Sequence, residues 1–240
     1  MTDVRTYRYA AQTHVGLKRK VNEDAILALP EHHIWLVSDG MGGHQAGDFA
    51  SSLIVDSVAS LPVALDPTEK MHGLRDKIQG AHRAIQAETA ARGGGTIGAT
   101  VAALVLANGH FLCLWAGDSR IYRLRDGVIE MLTCDHSAVA DYVLAGKMDW
   151  DEAEQHPHSN AITRAVGVGE ELELDKVRGI VETGDRFLIC SDGLTKYATF
   201  PILQDVLSNT PLETVGDRLL QIALDGGGAD NISHIVVDVI

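Results

Sequence analysis

Four short apolar segments between residues 101 and 132 restrict the fold more than any other feature of this sequence. They cover residues 101–106, 110–116, 120–125 and 128–132. Asn108-Gly109 and Asp126-Gly127 separate the first pair and the last pair, and both dipeptides supply the positive φ angles of tight hairpin turns. Gly117-Asp118-Ser119 separates the middle pair. The spacing predicts an antiparallel meander of four strands.

Helical patterns lie on both sides of this meander. Apolar residues recur at helical spacing over residues 49–61 and 71–85, which predicts two helices that each have one apolar face. The Gly93-Gly94-Gly95 run is expected to end the second helix. Thr210-Pro211-Leu212-Glu213 has the form of a capping box with proline at the first helical position, and it predicts the start of a last helix.

Further strands are predicted at residues 186–190 and 232–239, and a weaker pattern of short helical pieces over residues 135–167 indicates an insertion over the edge of a sheet. Substrate contacts often lie on such segments. Two antiparallel sheets packed together, with helices outside, accommodate this order of elements. We therefore expect one domain over residues 1–240.

The balance of charge excludes some classes of partner. The sequence carries 20 Lys and Arg residues against 33 Asp and Glu residues, a formal net charge of −13. This surplus disfavours nucleic acid and anionic lipid and suits cations. The longest apolar stretches are far shorter than the roughly 20 residues of a membrane span, and the N-terminus lacks the apolar core of a secretory signal. We expect a cytoplasmic protein with no membrane insertion.

The sequence contains one near-repeat. Residues 35–40 and 187–193 both run from an apolar strand into Ser-Asp-Gly, which puts Asp39 and Asp192 at predicted strand ends. Rigid backbone holds a carboxylate at such a position, and the glycine lets the chain turn so that its carbonyl faces the same point. Asp-Gly is also a common turn dipeptide. Two copies after buried strands favour a functional site.

Other acidic residues occur at similar joints between predicted elements. They are Glu23, Asp24, Asp118 and Asp230. If these joints converge, several carboxylates share one cleft, where like charges raise one another's pKa and divalent cations relieve the repulsion. Oxygen ligands with retained waters suit Mg²⁺ or Mn²⁺, and the sequence has no His/Cys spacing typical of a zinc site. Arg19 would place a phosphate-binding guanidinium beside the metals, or it is a surface cation of the Lys18-Arg19-Lys20 cluster.

Eight short motifs occur in order along nearly the whole chain. They are residues 16–24, Asp39-Gly40-Met41-Gly42-Gly43-His44, Gly94-Gly95-Thr96, Gly117-Asp118-Ser119-Arg120, Asp135-His136-Ser137, residues 162–167, Ser191-Asp192-Gly193 and Asp230-Asn231. Together they resemble the motifs of the bacterial metal-dependent Ser/Thr protein phosphatases of the PPM (PP2C) family. The resemblance implies an α+β fold, a four-layer α-β-β-α sandwich of two antiparallel sheets flanked by helices, with a metal site between the sheets.

The resemblance also implies which residues hold the metals. Asp39 matches the carboxylate that bridges two metals, and Gly40 matches a ligand that binds through its carbonyl. Asp192 and Asp230 match the remaining ligands of the first metal. Asp118 matches the ligand of a weaker third metal, which it shares with Asp192.

Four other positions match supporting roles in the family. Glu23 and Asp24 match acidic residues that bind the second metal directly or through its waters. Arg19 matches the phosphate-binding arginine. Asn231 is expected to orient its neighbour Asp230 without touching the metal.

One position differs from the animal-type members, which have histidine directly after Asp-Gly as the proposed general acid. Here that residue is Met41. Many bacterial members share this methionine, so the change does not imply inactivity. Two hypotheses remain for the proton that the leaving group needs. Either a metal-bound water supplies it, or His44 does, and the alternative role for His44 is to cap the following helix.

The resemblance implies hydrolysis of phosphoserine and phosphothreonine in proteins by a water that bridges two Mn²⁺ or Mg²⁺ ions, with Arg19, Asp39 and Asp192 as catalytic residues. Two alternatives stay open: a catalytically silent pseudophosphatase that binds phosphoproteins, and a phosphoesterase for small molecules. A structural Ca²⁺-binding module would predict an EF-hand loop, and the sequence has none.

The expected partners also follow from the family. They are phosphorylated Ser/Thr proteins and a separately encoded Ser/Thr kinase that the phosphatase opposes. Residues 135–167 match the family's flap, the segment thought to set substrate preference. We expect a monomer, and control of type VI secretion is one role that the resemblance allows.

Overall fold

Two antiparallel sheets organise the computed structural model, which describes residues 5–42 and 46–240. The first sheet contains, in spatial order, β1 (Tyr7–His14), β11 (Ile232–Val239), β10 (Arg186–Cys190), β7 (Arg120–Arg125) and β8 (Val128–Met131). The second sheet contains β2 (Asp24–Leu29), β3 (Ile34–Met41), β5 (Val101–Ala107), β6 (His110–Ala116) and β9 (Asp175–Ile180). The short β4 (Gly98–Ala99) pairs with the end of β3.

Helices cover the outer face of each sheet. Those on the second sheet are α1 (Ala46–Ala59) and α2 (Pro67–Ala91), and those on the first are α6 (Phe200–Asn209) and α7 (Leu212–Asp225). Three short helices are α3 (Ala140–Leu144), α4 (Trp150–Glu154) and α5 (Asp192–Thr195). Within the described ranges, no helix combines the length and the apolar character needed to cross a membrane. The predicted α-β-β-α sandwich is confirmed.

Three apolar cores hold the four layers together, and β3 shows how one strand serves two of them. Its side chains alternate, so Trp35 and Val37 pack between the two sheets while Ile34 and Leu36 pack against α1 and α2. All four are fully buried. Burial of each large apolar side chain contributes about 2 kcal/mol, so both faces of β3 fix its position in the sandwich.

The predicted second helix is confirmed, and local chemistry explains both of its ends. Asp66 accepts hydrogen bonds from the backbone N–H groups of Thr68 and Glu69, and the Glu69 side chain accepts one from the backbone N–H of Asp66. This reciprocal pair satisfies N–H groups that have no partner inside the helix. At the other end, the glycine run of residues 93–95 has positive φ angles throughout and leaves the helical conformation.

The predicted meander is half right. The turns at Asn108-Gly109 and Asp126-Gly127 have positive φ at both residues and form the β5–β6 and β7–β8 hairpins. β6 and β7, however, lie in different sheets, so Gly117-Asp118-Ser119 crosses between the sheets instead of forming a hairpin turn. The cause is close packing at Gly117, where φ is 113° and a Cβ would lie 2.6 Å from Thr100 Cγ2. The crossing carries Asp118 into the space between the sheets.

The predicted capping box of the last helix is wrong. α7 begins at Leu212, after Pro211, and no side chain caps it. Thr210 instead ends the preceding α6. The reason is that the Glu213 carboxylate pairs with Arg8 on β1 and does not reach back to the helix start.

Strand β9 has no counterpart in the sequence-based assignment. It forms the edge of the second sheet, and most of its side chains are exposed. Its sequence, DKVRGI, has only two apolar side chains, so hydrophobic alternation gives little signal there.

Candidate metal and phosphate site

Strands of both sheets end at one cavity of about 230 Å³, and this cavity collects the predicted site residues. It is lined by Arg19, Glu23, Asp39, Gly40, Met41, Gly42, Asp118, Asn160, Ile162, Asp192, Asp230 and Asn231. All six predicted metal ligands and the predicted phosphate-binding arginine are among them. The residues predicted from sequence therefore share one cavity, although they come from segments that are distant along the chain.

The sequence analysis expected Asp39 at the end of a strand. In the structure it lies within β3, because the strand continues to Met41. Thr100 fixes its backbone, since the Asp39 N–H donates to Thr100 Oγ1 at 2.9 Å and the Thr100 N–H donates to the Asp39 carbonyl at 2.8 Å. Gly40 makes no turn either. A Cβ at Gly40 would lie 2.2 Å from the carbonyl oxygen of Gly47, so glycine is needed there for the close approach of α1.

Asp192 reaches the same cavity as the first residue of α5, directly after β10. The next residue, Gly193, allows a close contact, because a Cβ there would lie 1.9 Å from the carbonyl oxygen of Asn231. Asp192 and Asp39 line the same cavity. Carboxyl groups from the two sheets therefore meet in the cavity.

Asp118 enters the cavity from the crossing between β6 and β7 and is almost fully buried. Its neighbour Ser119 shares a hydrogen bond of 2.6 Å with the hydroxyl of Thr100. Since Thr100 also holds the backbone of Asp39, one threonine fixes the positions of two of the acidic residues. Sequence reasoning did not identify Thr100, and a buried threonine inside an apolar strand pattern was the only signal for it.

Arg19 is held at the cavity by the loop that precedes β2. In this loop Gly16 has φ of +79°, and a Cβ there would lie 2.1 Å from the carbonyl oxygen of Asp230. Arg19 Nη2 donates to Asp230 Oδ2 at 2.8 Å, and this hydrogen bond is the main cause of the raised pKa of the guanidinium. Half of the Arg19 side chain, 51%, remains exposed. A permanently charged, partly free guanidinium at the mouth of the cavity suits an incoming phosphate.

The remaining predicted residues support this loop. Asn231 Nδ2 donates to the carbonyl oxygens of Val15 and Val21, and Asn231 Oδ1 accepts from the N–H of Glu23. The expected contact with Asp230 is also present, but it runs from the backbone N–H of Asn231 to Asp230 Oδ1 at 2.9 Å. The Asn231 side chain therefore positions the loop of Arg19 and Glu23 more than it positions Asp230.

Asp24 is buried behind the cavity and does not line it. Its Oδ2 accepts a hydrogen bond of 2.8 Å from Ser191 Oγ. Burial raises the pKa of Asp24 to about 7, although the hydrogen bonds from Ser233 and Ser191 lower it. This placement agrees with a residue that supports the ligands without facing the phosphate.

The acidic cluster is electrostatically unfavourable by itself. Burial is the largest cause of the raised pKa values of Asp39, Asp118 and Asp192, and the neighbouring carboxylates raise them further. The Oδ1 atoms of Asp24, Asp118 and Asp192 are buried and have no hydrogen-bond partner. Asp118 and Asp192 line the cavity, and their buried carboxylate oxygens without partners fit a divalent cation that prefers oxygen ligands.

The described residues contain no group of three or more His, Cys, Asp or Glu side chains that is already arranged to hold a metal ion. Mg²⁺-type ions usually keep several waters and take only one or two carboxylates each, together with backbone carbonyls. A cavity with Asp39, Asp118, Asp192 and Asp230 on its wall, the carbonyl of Gly40 beside them and room for water fits that mode of binding. His44 and its two neighbours, Gly43 and Gln45, lie outside the described residues.

Two further residues of the cavity wall come from the predicted insertion. Asn160 and Ile162 face the cavity from the segment between α4 and β9. The sequence analysis assigned substrate contact to residues 135–167 as a whole, but no local pattern distinguished these two positions from their neighbours.

A helix–sheet–sheet–helix sandwich with an acidic cavity and an arginine at its mouth defines a class of metal-dependent phosphoesterase. The family model described as protein phosphatase 2C matches residues 17–235, and the chain belongs to that family. It is 35% identical over 241 aligned residues to the serine/threonine protein phosphatase PstP of Mycobacterium tuberculosis, covering 97% of this chain and 45% of PstP. The chain thus spans less than half the length of that relative.

Other relatives match over nearly their full length. The protein phosphatase PhpP of Streptococcus pneumoniae is 34% identical, with 94% of each chain covered. The structure of PppA from Pseudomonas aeruginosa, described as a key regulatory component of T6SS, has a TM-score of 0.91 at 43% identity and 98% coverage of both chains. The catalytic domain of PstP in complex with two manganese ions has a TM-score of 0.89 at 32% identity, with 99% of this chain and 100% of that chain covered.

Proposed function

We propose that this chain hydrolyses phosphoserine and phosphothreonine in proteins with the help of two bound Mn²⁺ or Mg²⁺ ions. The observation that carries the proposal is the convergence of Asp39, Asp192, Asp118 and Asp230 from both sheets on one cavity, with Arg19 at its mouth. Membership of the protein phosphatase 2C family and the manganese-bound PstP domain support the same reading.

Asp39, the carbonyl of Gly40, Asp192 and Asp230 would hold the metals, with Glu23 at the second one and Asp118 at a third. Bound divalent cations supply an activated water for hydrolysis and neutralise the charge of the phosphate. Asp24 supports these residues from behind the cavity, and Asn231 holds the loop of Arg19 and Glu23 in place.

The chain's own contribution to substrate binding is made by Arg19. Its guanidinium already faces Asp230, and its free N–H groups can hold a phosphate dianion in a fixed orientation. Met41 carries no proton donor to the cavity. The leaving group therefore takes its proton from water or from His44, and a His44→Ala variant separates the two because only the second route loses turnover on an alkyl phosphate.

We further propose that the chain opposes a Ser/Thr kinase in the cytoplasm and acts as a monomer of one domain. Its similarity to PppA, described as a regulatory component of T6SS, makes type VI secretion the first pathway to examine. No observation on the described residues favours a pseudophosphatase or a phosphoesterase for small molecules over this proposal.

Release of phosphate from a phosphothreonine peptide, with Mn²⁺, with Mg²⁺ and with EDTA, tests the proposed function. Metal-dependent release that falls by about 10³-fold in Asp192→Asn is expected, since a ligand of the reaction centre is lost. Asp141→Asn is the matched control, because it removes an exposed carboxylate of α3 that lines no part of the cavity. Wild-type protein that is folded and metal-loaded but releases no phosphate would contradict the proposal.

A further inference from the structure

Arg120 forms a buried ion cluster beside the acidic cavity, and the proposed chemistry does not use it. The residue lies on β7 and is only 4% exposed. Its Nε and Nη2 donate to the two carboxylate oxygens of Asp135 at 2.9 and 2.7 Å, and its Nη2 lies 2.7 Å from Glu154 Oε1. One buried cation thus holds two carboxylates that belong to the insertion. Burial of charged groups costs desolvation free energy unless they are well paired and hydrogen-bonded. Such a cluster is therefore weak evidence for stability, and a role in positioning the insertion is the better explanation.

The cluster fixes helix α4 to the body of the protein. Glu154, the last residue of α4, also accepts a hydrogen bond of 3.0 Å from Thr195 Oγ1 on α5, three residues after Asp192. Trp150, the first residue of α4, covers the face of the Arg120 guanidinium at 5.2 Å. Both ends of the short helix therefore contact Arg120. Without such contacts a helix of five residues has little stability of its own.

A second contact on the same helix leads away from the cluster. The carboxylate of Asp151 accepts from the backbone N–H of Phe200 at 3.1 Å, where α6 begins. Helix α4 is therefore attached to β7, α5 and α6 at once.

Helix α4 precedes part of the cavity wall along the chain. Asn160 and Ile162 follow α4 by only a few residues, and both face the cavity. The base of the insertion is closed separately, because Ala138 N–H donates to the carbonyl of Ala161 at 2.8 Å and Thr163 N–H donates to that of His136 at 2.8 Å. The wall is thus held between this closed base and the docked helix. If α4 is released, the wall loses its attachment to β7, α5 and α6 and keeps the closed base and a long hydrogen bond of 3.5 Å from Lys196 Nζ to Asn160 Oδ1.

We propose that the buried Arg120–Asp135–Glu154 cluster is a positioning device that docks α4 and so fixes the Asn160–Ile162 wall against which a phosphorylated peptide binds. This inference rests on the proposed function and adds a determinant of substrate size to it. Arg19 and the aspartates bind the phosphate itself, so a small phosphate ester is insensitive to the wall. A peptide, which extends beyond the cavity, depends on it.

Glu154→Ala and Trp150→Leu test the device from opposite ends of α4. In Glu154→Ala the Arg120 guanidinium keeps its bidentate pair with Asp135, so its buried positive charge stays neutralised. Trp150→Leu leaves the whole ion cluster in place and provides a second variant if the first does not fold. Glu154→Gln can still accept the hydrogen bond from Thr195, so it is expected to behave more like the wild type than Glu154→Ala does. Asp141→Asn changes an exposed carboxylate of the same insertion and is the control.

Two readouts are compared in each variant. The KM for a phosphothreonine peptide is expected to rise about tenfold, a change of about 1.4 kcal/mol, while kcat and the KM for p-nitrophenyl phosphate stay within about twofold of wild type. Amide hydrogen exchange over residues 150–162 is expected to become about tenfold faster, because the helix opens locally. The control should change neither quantity.

Equal losses on both substrates, or unchanged hydrogen exchange in both α4 variants, would overturn the inference. The exchange measurement needs no turnover, so it decides whether the cluster docks α4 even if the wild type releases no phosphate. A wild type that is active on p-nitrophenyl phosphate, together with variants that keep the peptide KM, would overturn the inference and leave the proposed function intact.

Discussion

The two Ser-Asp-Gly segments have the same sequence and the same destination but different local structures. Asp39 is part of a strand, whereas Asp192 begins a helix, and both residues nevertheless line the same cavity. Both glycines are needed for close approach of other backbone and neither has positive φ. The repeated tripeptide correctly indicated that the two aspartates share a site. The packing around each segment, and not the tripeptide, determined whether its backbone is strand or helix.

The serines show where the two segments differ most. Ser38 Oγ donates to the carbonyl of Thr100 at 2.7 Å, a contact to the residue between β4 and β5, which both pair with β3 in its own sheet. Ser191 Oγ donates to Asp24 Oδ2 at the start of β2, which belongs to the other sheet. The segment of Asp192 therefore ties the two sheets together at the site, and the segment of Asp39 does not.

Alanine at the two glycines is expected to break both segments. Gly193→Ala and Gly40→Ala each force a Cβ against a carbonyl oxygen of rigid backbone, at 1.9 and 2.2 Å, so each should lower the free energy of unfolding by about 3 kcal/mol or more. Urea denaturation measures the change. Gly80→Ala on α2 is the control, since its Cβ meets nothing within 4 Å and should stabilise the helix by about 0.5–1 kcal/mol. A Gly193→Ala variant as stable as Gly80→Ala would refute the close contact.

Acid is expected to weaken the first sheet next to the Asp192 segment. His234 on β11 is paired with Cys190, directly before Ser191, and burial lowers the pKa of its imidazole to about 4. Between pH 6.5 and 4 the unfolded chain takes up a proton that the folded chain does not, so this histidine makes stability fall as the pH falls, by about 3 kcal/mol in total.

The comparison of wild type with His234→Gln isolates this effect from other titrating groups. The free energy of unfolding, measured by denaturant at pH 7.5 and 4.5, should fall less in His234→Gln than in wild type. His158→Gln, at an exposed position, should follow the wild type. The same pH dependence in all three proteins would show that His234 is not buried in its neutral form.

The smallest expected effect distinguishes the two aspartates in the metal-free protein. Burial, and after it four other acidic residues, raise the pKa of Asp39 strongly, so Asp39→Asn should raise the free energy of unfolding by about 1 kcal/mol and Asp192→Asn by less. Thermal melting in EDTA measures both. A loss of stability in Asp39→Asn would mean that the carboxylates do not repel one another in the folded chain.

Much of this site could be predicted from sequence because its residues follow strands that carry a strong apolar signal. Asp39 and Asp192 stood after such strands, and the hairpin dipeptides Asn108-Gly109 and Asp126-Gly127 marked their turns correctly. Arg19 and Asp230 were candidates from their positions in the sequence, but the hydrogen bond between them could not be predicted, since it joins parts of the chain about two hundred residues apart.

The features that sequence reasoning missed depend on tertiary packing. The crossing at Asp118 looks like a hairpin turn locally, but it joins the two sheets, and the close contact of Gly117 with Thr100 at this crossing cannot be seen in the sequence. Strand β9 is polar and exposed at a sheet edge. The role of Arg120 follows from Asp135 and Glu154, and no local pattern connects these three residues.

Calorimetric titration of the metal-free protein with Mn²⁺ tests most directly whether carboxylates from both sheets form one metal site. The account predicts at least two bound ions in the wild type, and loss of the tighter binding in both Asp39→Asn and Asp192→Asn, with Asp141→Asn unchanged. Tighter binding that survives in either cavity variant, or no binding in the folded wild type, would contradict it.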